Sequence, residues 1–219
     1  MYVPFHNANA IEVLSLYESI SSVSHLVRGR VLDVGCGTRP YEDLFRAHCS
    51  QYIGIDLETV QSSQADVIAD SMRLPFVDKA FDTVFCAQVL EHVRDPFRVM
   101  EEIARALKPG GTLVLTAPQA WPLHEKPHDY FRYTRFGLEE LARTSGLEVV
   151  EIRERSGGIC ALTEMFCALV YERYGRKRAT RILLKPLFWF LQRLSWAVDR
   201  IWYFPDLTLG YLLVARRVQ

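Results

Sequence analysis

Residues 31–37 read Val31-Leu32-Asp33-Val34-Gly35-Cys36-Gly37. An apolar run carrying one carboxylate ends on two glycines, and Pro40 then suits the first turn of a helix. The segment reads as a buried strand, a tight turn and a helix. Glycine lets the backbone turn sharply and lets a ligand approach where a Cβ would stand in the way. A second apolar run, Tyr52-Ile53-Gly54-Ile55-Asp56, ends on a carboxylate 19 positions after Gly37. In doubly wound sheets an acid at that place accepts hydrogen bonds from a ribose. The fingerprint for a dinucleotide wants a third glycine where this chain has Pro40. Asp33 would repel a pyrophosphate but suits an ammonium, which favours a cationic nucleoside.

The same alternation continues outward. Strands are expected at Val67–Asp70, Phe81–Cys86, Thr112–Thr116, Leu147–Ile152 and Leu209–Ala215. Helical spacing marks residues 8–27 (Ile11, Leu14, Leu16, Ile20, Val23, Leu26), Pro96–Leu107 and 135–145. Lys108-Pro109-Gly110-Gly111 reads as the stop of the second of these. Strands alternating with helices make an α/β chain with a mostly parallel sheet of seven strands and helices on both faces. One domain over 1–219 is expected, with a helical segment at 1–29 and a helical insertion at 157–206 before the last strand.

The 219 residues hold 26 Lys and Arg against 26 Asp and Glu, with 49% hydrophobic residues. That composition excludes disordered, collagenous and low-complexity classes, and bulk charge predicts no nucleic-acid partner. Five cysteines without a C-x-x-C pair form neither a zinc framework nor a disulfide scaffold. With no basic-apolar leader at the start and no long uncharged window, the reading is cytoplasmic.

Three stretches, VLDVGCGTRPYEDLF, YIGIDLE and ADVIADSMRLPFVDKAFDTVFCAQVLEHVRDPFRVMEEIARALKPGGTLVLTAP, taken in order, resemble the successive motifs of the class I S-adenosylmethionine-dependent methyltransferases. The "type 11" small-molecule branch matches best. The resemblance is dense over 30–118 and loose to about 153. It implies a Rossmann-like fold, S-adenosylmethionine as cofactor, S-adenosylhomocysteine as product, and methyl transfer by in-line displacement to a small-molecule acceptor. It also implies roles. Asp33, Gly35, Cys36 and Gly37 surround the methionine part of the cofactor. Asp56 takes the ribose hydroxyls and Leu57 packs beside the adenine. Asp70, Ser71 and Met72 line the ring, and Gln88 sits near the sulfonium. Glu91 and His92 read as braces for the following loop. No metal is required.

Residues 119–134, after the fifth strand, hold Trp121, His124, His128, Asp129, Tyr130, Arg132 and Tyr133. Loops at this end of a sheet carry function. Three readings of His124, His128 and Asp129 stand open: a general base, a metal site, or a structural lid. Tyr41, Trp121, Tyr130 and Tyr133 are candidates for lining the acceptor site, with packing as the alternative for the tyrosines.

The insertion carries eight basic and four acidic side chains and three of the four tryptophans. Ile159, Leu162, Phe166, Leu169 and Val170 form one helical stripe; Leu187, Phe190, Leu191, Leu194, Val198 and Ile201 form another. Two helices separated by the basic stretch Arg173–Lys185 are expected. They could lie on a membrane interface, mediate oligomerisation or cover substrate, or bury both stripes on their own sheet. The acceptor is then a saccharide, a lipid or a lipid-linked molecule. The competing reading is a non-catalytic protein of the same fold that binds a partner or membrane through 157–206. The chain lacks an Asn/Asp-Pro-Pro-Tyr motif after the fourth strand, having Ala87-Gln88-Val89-Leu90 instead, which disfavours an amino-directed nucleic-acid target.

Overall fold

β1 (Gly29–Val34) is the strand the opening motif predicts, and Val31, Leu32 and Val34 are fully buried. It pairs in parallel with β2 (Cys49–Asp56) on one side and with β4 (Phe81–Ala87) on the other. β3 (Val67–Ile68) extends the β2 side in parallel, and β5 (Leu107–Pro118) extends the β4 side. With β6 (Leu147–Glu154) and β7 (Gly210–Arg217) the order is β3-β2-β1-β4-β5-β7-β6. The order reverses at β1 and β4, so the crevice at their carboxyl ends is the natural ligand site of this α/β sheet. This computed structural model describes residues 7–57, 63–175 and 177–218. Glu58 of the second motif and Arg176 of the basic stretch lie outside them.

Contacts divide the chain into two compact units. The larger comprises 20–117, 125–153 and 212–219. Its core is aromatic and branched: Phe45, Ile55, Phe81, Val84, Phe85 and Leu113 to Leu115 are at most 1% exposed. The Phe85 ring meets Phe45 edge-on at 5.0 Å. Removing such a ring would cost about 3–5 kcal/mol. α2 (Glu42–Phe45) follows the glycine turn. α3 (Pro96–Ala106) starts as its sequence dictates: Asp95 caps it, accepting from the Arg98 amide at 3.0 Å, with Pro96 at the first position. Val99, Met100 and Ile103 form its buried face. α4 (Arg135–Thr144) is capped by Thr134, which accepts from the Gly137 amide.

Two boundaries differ from expectation. Lys108–Gly111 does not follow α3 as a free turn but lies inside β5. Phe81 pairs with Leu107 and Thr83 already with Thr112, so four residues bulge out of the ladder, with Gly110 at φ +74°. β3 stops at Ile68 rather than Asp70. The Ala69 amide still donates to Asp56 O at 2.9 Å, but the Asp70 carboxylate turns to accept from the Met72 amide at 2.8 Å.

The smaller unit comprises 1–19, 118–124 and 154–211. It holds most of α1 (Ala10–Ser22) with α5 (Gly158–Tyr174) and α6 (Arg178–Asp199). α5 ends and α6 begins inside the basic stretch as expected, but the break is short and most of the stretch forms the first turns of α6. The inward faces of α5 and α6 are also not the apolar stripes. α5 buries Cys160, Ala161, Glu164 and Cys167, and α6 buries Phe188, Gln192, Ser195 and Asp199. Leu162, Phe166, Leu169, Leu187, Phe190 and Leu194 are all exposed. The reading in which the insertion buries both stripes is thereby overturned.

The physical reason lies at helix ends. The first amides of a helix have no partner within it. Gln192 Oε1 accepts from the Ile11 amide (3.3 Å) and Glu164 Oε1 from the Glu12 amide (3.1 Å), serving the start of α1. Asp199 accepts from the Ile159 and Cys160 amides, each at 3.2 Å, serving α5, whose cap Gly157 offers no side chain. The polar stripe faces inward because two helix starts need acceptors. Around it pack Ile11, Cys160, Ala161 and Leu209, with Trp121 and Trp196 against them.

Burial pushes the Glu164 carboxyl up to about 8. A carboxyl raised in the folded state contributes stability below its ordinary value and loses it as pH rises toward the folded one. Between about pH 5 and pH 8 the wild-type melting temperature falls, and Glu164→Gln shows a shallower fall. A melting series by circular dichroism checks this; parallel curves for the two proteins would refute the assignment.

Candidate functional site

At the carboxyl end of β1, Gly35 (φ +70°) and Gly37 (φ +50°) take the left-handed backbone that glycine adopts at least cost. They need glycine for different reasons. A Cβ on Gly35 would stand 2.4 Å from Val89 Cγ2, whereas a Cβ on Gly37 would meet nothing within 4 Å. The turn is bound to β2: the Gly35 and Cys36 amides both donate to Ile55 O at 3.0 Å. Cys36 packs on Gly54, where a Cβ would lie 2.8 Å from its sulfur. Burial pushes its thiol up to about 11, so it stays protonated.

Asp56 joins turn and strand end. Its Oδ2 accepts from the Gly37 amide and its Oδ1 from the Leu57 amide, both at 2.8 Å. A carboxylate has about four lone-pair sites, so acceptor capacity remains on both oxygens. The Leu57 side chain is exposed beside it.

Asp33 is buried, and the Tyr52 hydroxyl donates to its Oδ2 at 2.5 Å. Burial raises its carboxyl to about 7; the tyrosine hydrogen bond and the Arg39 guanidinium oppose that rise. Arg39, itself left-handed at φ +55°, bridges to Asp66 and Glu42 and lies over the Tyr52 ring. The sequence reading missed both Tyr52 and Arg39. A signal existed for the first: Asp33 registers with Gly54, and Tyr52 stands two residues before it on the same face, within diagonal reach.

The loop carrying Asp70, Ser71 and Met72 is held from behind by α3. Buried Glu102 accepts from the Leu74 amide at 2.9 Å. Arg105 donates to Leu74 O and Phe76 O, and Arg98 to Met72 O. The Arg105 and Arg98 guanidiniums hold the Glu102 carboxyl below its ordinary value. Gln88, left-handed at φ +56°, donates through its amide to Thr116 O and through Nε2 to Thr116 Oγ1.

Residues 125–134 of the larger unit are braced on Glu91 and His92. The Tyr130 amide donates to Glu91 O at 2.8 Å, and His92 Nδ1 lies 2.7 Å from His128 O. Tyr133 is buried and donates to Leu90 O at 2.7 Å, so it packs beneath the loop. Asp129 and His128 have different partners. Asp129 takes a bidentate Arg132 fork at 2.6 and 2.8 Å. Exposed His128 reaches Tyr130 Oη through Nδ1 at 3.0 Å, and Arg94 Nε donates to the same oxygen at 3.2 Å. Arg94 was not foreseen. Tyr41, partly buried ahead of α2, sets its ring edge against Phe85.

His124 and Trp121 belong to the smaller unit. His124 Nδ1 lies 3.3 Å from Pro122 O. Trp121 lines a cavity of about 740 Å³ with Tyr171, Glu172, Arg181, Lys185 and Phe188. None of its lining residues belongs to the glycine-turn group.

The two glycines separate strain from contact. Gly35→Ala destabilises the fold by about 3 kcal/mol, adding a clash with Val89 to the backbone penalty. Gly37→Ala costs about 1 kcal/mol from backbone alone. Chemical denaturation of both variants checks this; equal losses would contradict it.

Comparison with known proteins completes the description. A family profile described as "Methyltransferase domain" (type 11) matches residues 32–115. The ubiquinone biosynthesis O-methyltransferase of Burkholderia thailandensis is 28% identical over 182 residues, 69% of this chain and 77% of that protein. The O-methyltransferase resE of Aspergillus sclerotiorum is 28% identical over 163 residues, 61% of each. Among solved structures, the S-adenosylmethionine-dependent methyltransferase of Mesorhizobium loti has TM-score 0.60 at 18% identity, covering 94% of this chain and all of that one. The [4+2]-cyclase SpnF has TM-score 0.63 at 23% identity, covering 96% and 82%. At such identities a structural match speaks to the fold only, and SpnF shows that the fold hosts more than one reaction. Motifs, strand order and relatives together support a class I S-adenosylmethionine-dependent methyltransferase with S-adenosylmethionine as its cofactor, the family profile itself spanning residues 32–115.

Proposed function

We propose that this methyltransferase methylates a hydroxyl of a small-molecule acceptor, with a saccharide, lipid or lipid-linked molecule as the acceptor class. The oxygen acceptor rests on the relatives, which are named O-methyltransferases. The donor side rests on one observation: Asp56, fixed by the Gly37 and Leu57 amides, keeps spare acceptor capacity beside the open space over Gly37.

These residues fit the cofactor. Asp56 takes the ribose hydroxyls, Leu57 covers one side of the adenine, and Asp70, Ser71 and Met72 meet its edge. Asp33, Gly35, Cys36 and Gly37 surround the amino-acid end, with Asp33 paired to Tyr52 and ready to exchange that partner for an ammonium. Gln88 flanks the sulfur. When bound, S-adenosylmethionine supplies an electrophilic sulfonium methyl for in-line transfer to a nucleophile. The protein's further task is then to orient the acceptor and receive its proton.

His128 is the residue for that proton. Its Nδ1 lies 3.0 Å from Tyr130 Oη, which also accepts from Arg94; in the tautomer with the proton on Nδ1, the Nε2 lone pair acts as base. Asp129, matched to Arg132, shapes the loop rather than orienting the imidazole. Tyr41 and Tyr130 remain candidates for acceptor contact; Trp121 lines the cavity of the smaller unit, Tyr133 supports the loop, and the proposal does not use His124 as base.

Two measurements test this. Calorimetry with S-adenosylmethionine shows binding to wild type and roughly 10- to 100-fold weaker binding to Asp56→Ala, the loss of charge-assisted hydrogen bonds; equal binding would refute the donor site. Labelled-methyl transfer to fractionated lipid and sugar extracts identifies a hydroxyl acceptor, and on it His128→Asn lowers kcat roughly 100-fold at unchanged cofactor affinity. Unaltered turnover by that variant would remove His128 as base.

A further inference from the structure

α6 is an amphipathic helix turned inside out, and α5 also leaves a row of large apolar side chains outside. On α6, Leu183, Leu187, Phe190 and Leu194 fall on one face at helical spacing, and all four are 43–74% exposed. Phe188, Gln192, Ser195 and Asp199 fall on the opposite face and are buried. On α5, Leu162, Phe166 and Leu169 are exposed opposite buried Cys160, Glu164 and Cys167. After α6 the chain continues as Ile201-Trp202-Tyr203-Phe204, every residue exposed, with the Trp202 and Phe204 rings 5.0 Å apart. Contiguous apolar surface of this kind marks a binding face.

Charge identifies the partner. Of the four acidic residues in 157–206, Glu164 and Asp199 are buried as acceptors for helix amides. Only Glu172 and Asp206 face outward, against exposed Arg173, Lys177, Arg178, Arg181, Lys185, Arg193 and Arg200. The effective surface is thus more basic than the composition shows. Exposed Trp189 and Trp202, with the long stems of Arg178, Arg193 and Arg200, supply the amphipathic groups that settle at a headgroup boundary. No described helix is long and apolar enough to cross a membrane. A surface of apolar stripe, aromatic anchors and basic flank lies in the interface rather than through it.

We infer that the outward faces of α5 and α6 with Ile201–Phe204 dock this enzyme on the surface of an anionic lipid bilayer. The inference concerns lipid binding alone and is independent of which acceptor is methylated.

Flotation of the full chain with vesicles tests it. Wild type co-floats with phosphatidylcholine vesicles containing about one-third phosphatidylglycerol, and roughly tenfold less with phosphatidylcholine alone or at high salt. The Trp emission shifts to the blue on binding. Leu183→Glu with Phe190→Glu removes flotation while S-adenosylmethionine affinity and melting temperature stay at wild-type values. Arg178→Glu with Arg200→Glu weakens flotation on the anionic vesicles only. Should the first pair disturb folding, Trp202→Ser, in an exposed turn, reads the same loss separately. Failure of wild type to float with anionic vesicles overturns the inference, as does undiminished flotation of both Leu183→Glu/Phe190→Glu and Trp202→Ser. A wild-type dimer that Leu183→Glu/Phe190→Glu splits, without vesicle binding, overturns it too and gives the face to a second copy of the chain.

Discussion

Two backbone amides on one carboxylate organise the carboxyl ends of β1 and β2. Asp56 ends β2 and takes the Gly37 and Leu57 amides on separate oxygens. That ties the left-handed turn after β1 to the neighbouring strand and fixes the direction of the remaining lone pairs. The register of β1 with β2 places the group, and the bulk of Val89 keeps a side chain off Gly35. Asp33 sits behind it, buried and raised in pKa, with Tyr52 as hydrogen-bond donor. A buried carboxyl is costly, and the tyrosine bond offsets part of that cost. The loop at Asp70 is set by the Arg98–Glu102–Arg105 cluster on α3, so its course depends on a helix behind it.

The smaller unit follows a different constraint. Gly157 has no side chain to offer the start of α5, and the first amides of α1, those of Ile11 and Glu12, find their acceptors on other helices. Their amides are served from a distance by Glu164, Gln192 and Asp199. A buried amide left unpaired costs more than an exposed leucine, which settles which face of α5 and α6 turns inward. The apolar stripes are left outside, available to a partner.

Much of the strand-end cluster is legible along the chain because each residue there acts through its own strand end. Asp33, Gly35, Gly37, Asp56 and Asp70 stand where short apolar runs stop, and a period of two with a glycine turn is a local signal. Tyr52, Arg39 and Arg94 are less legible, since each acts through a neighbour distant in sequence. The loop at 125–134 shows the limit. His128 and Asp129 are adjacent in sequence, but Arg132 and Tyr130 are stronger partners at i+3 and i+2.

The sequence by itself determined the strand order's ingredients, the glycine turn, the carboxylates at the strand ends and the presence of two helices with apolar stripes. Only the tertiary structure decided which side of those helices faces in. Hydrophobic periodicity reports where an apolar stripe lies on a helix; it cannot report that the opposite, polar stripe is needed to satisfy the amides of other helices. Tertiary structure also decided the effective charge of residues 157–206, because two of their four acids are spent on helix starts and no longer face solvent.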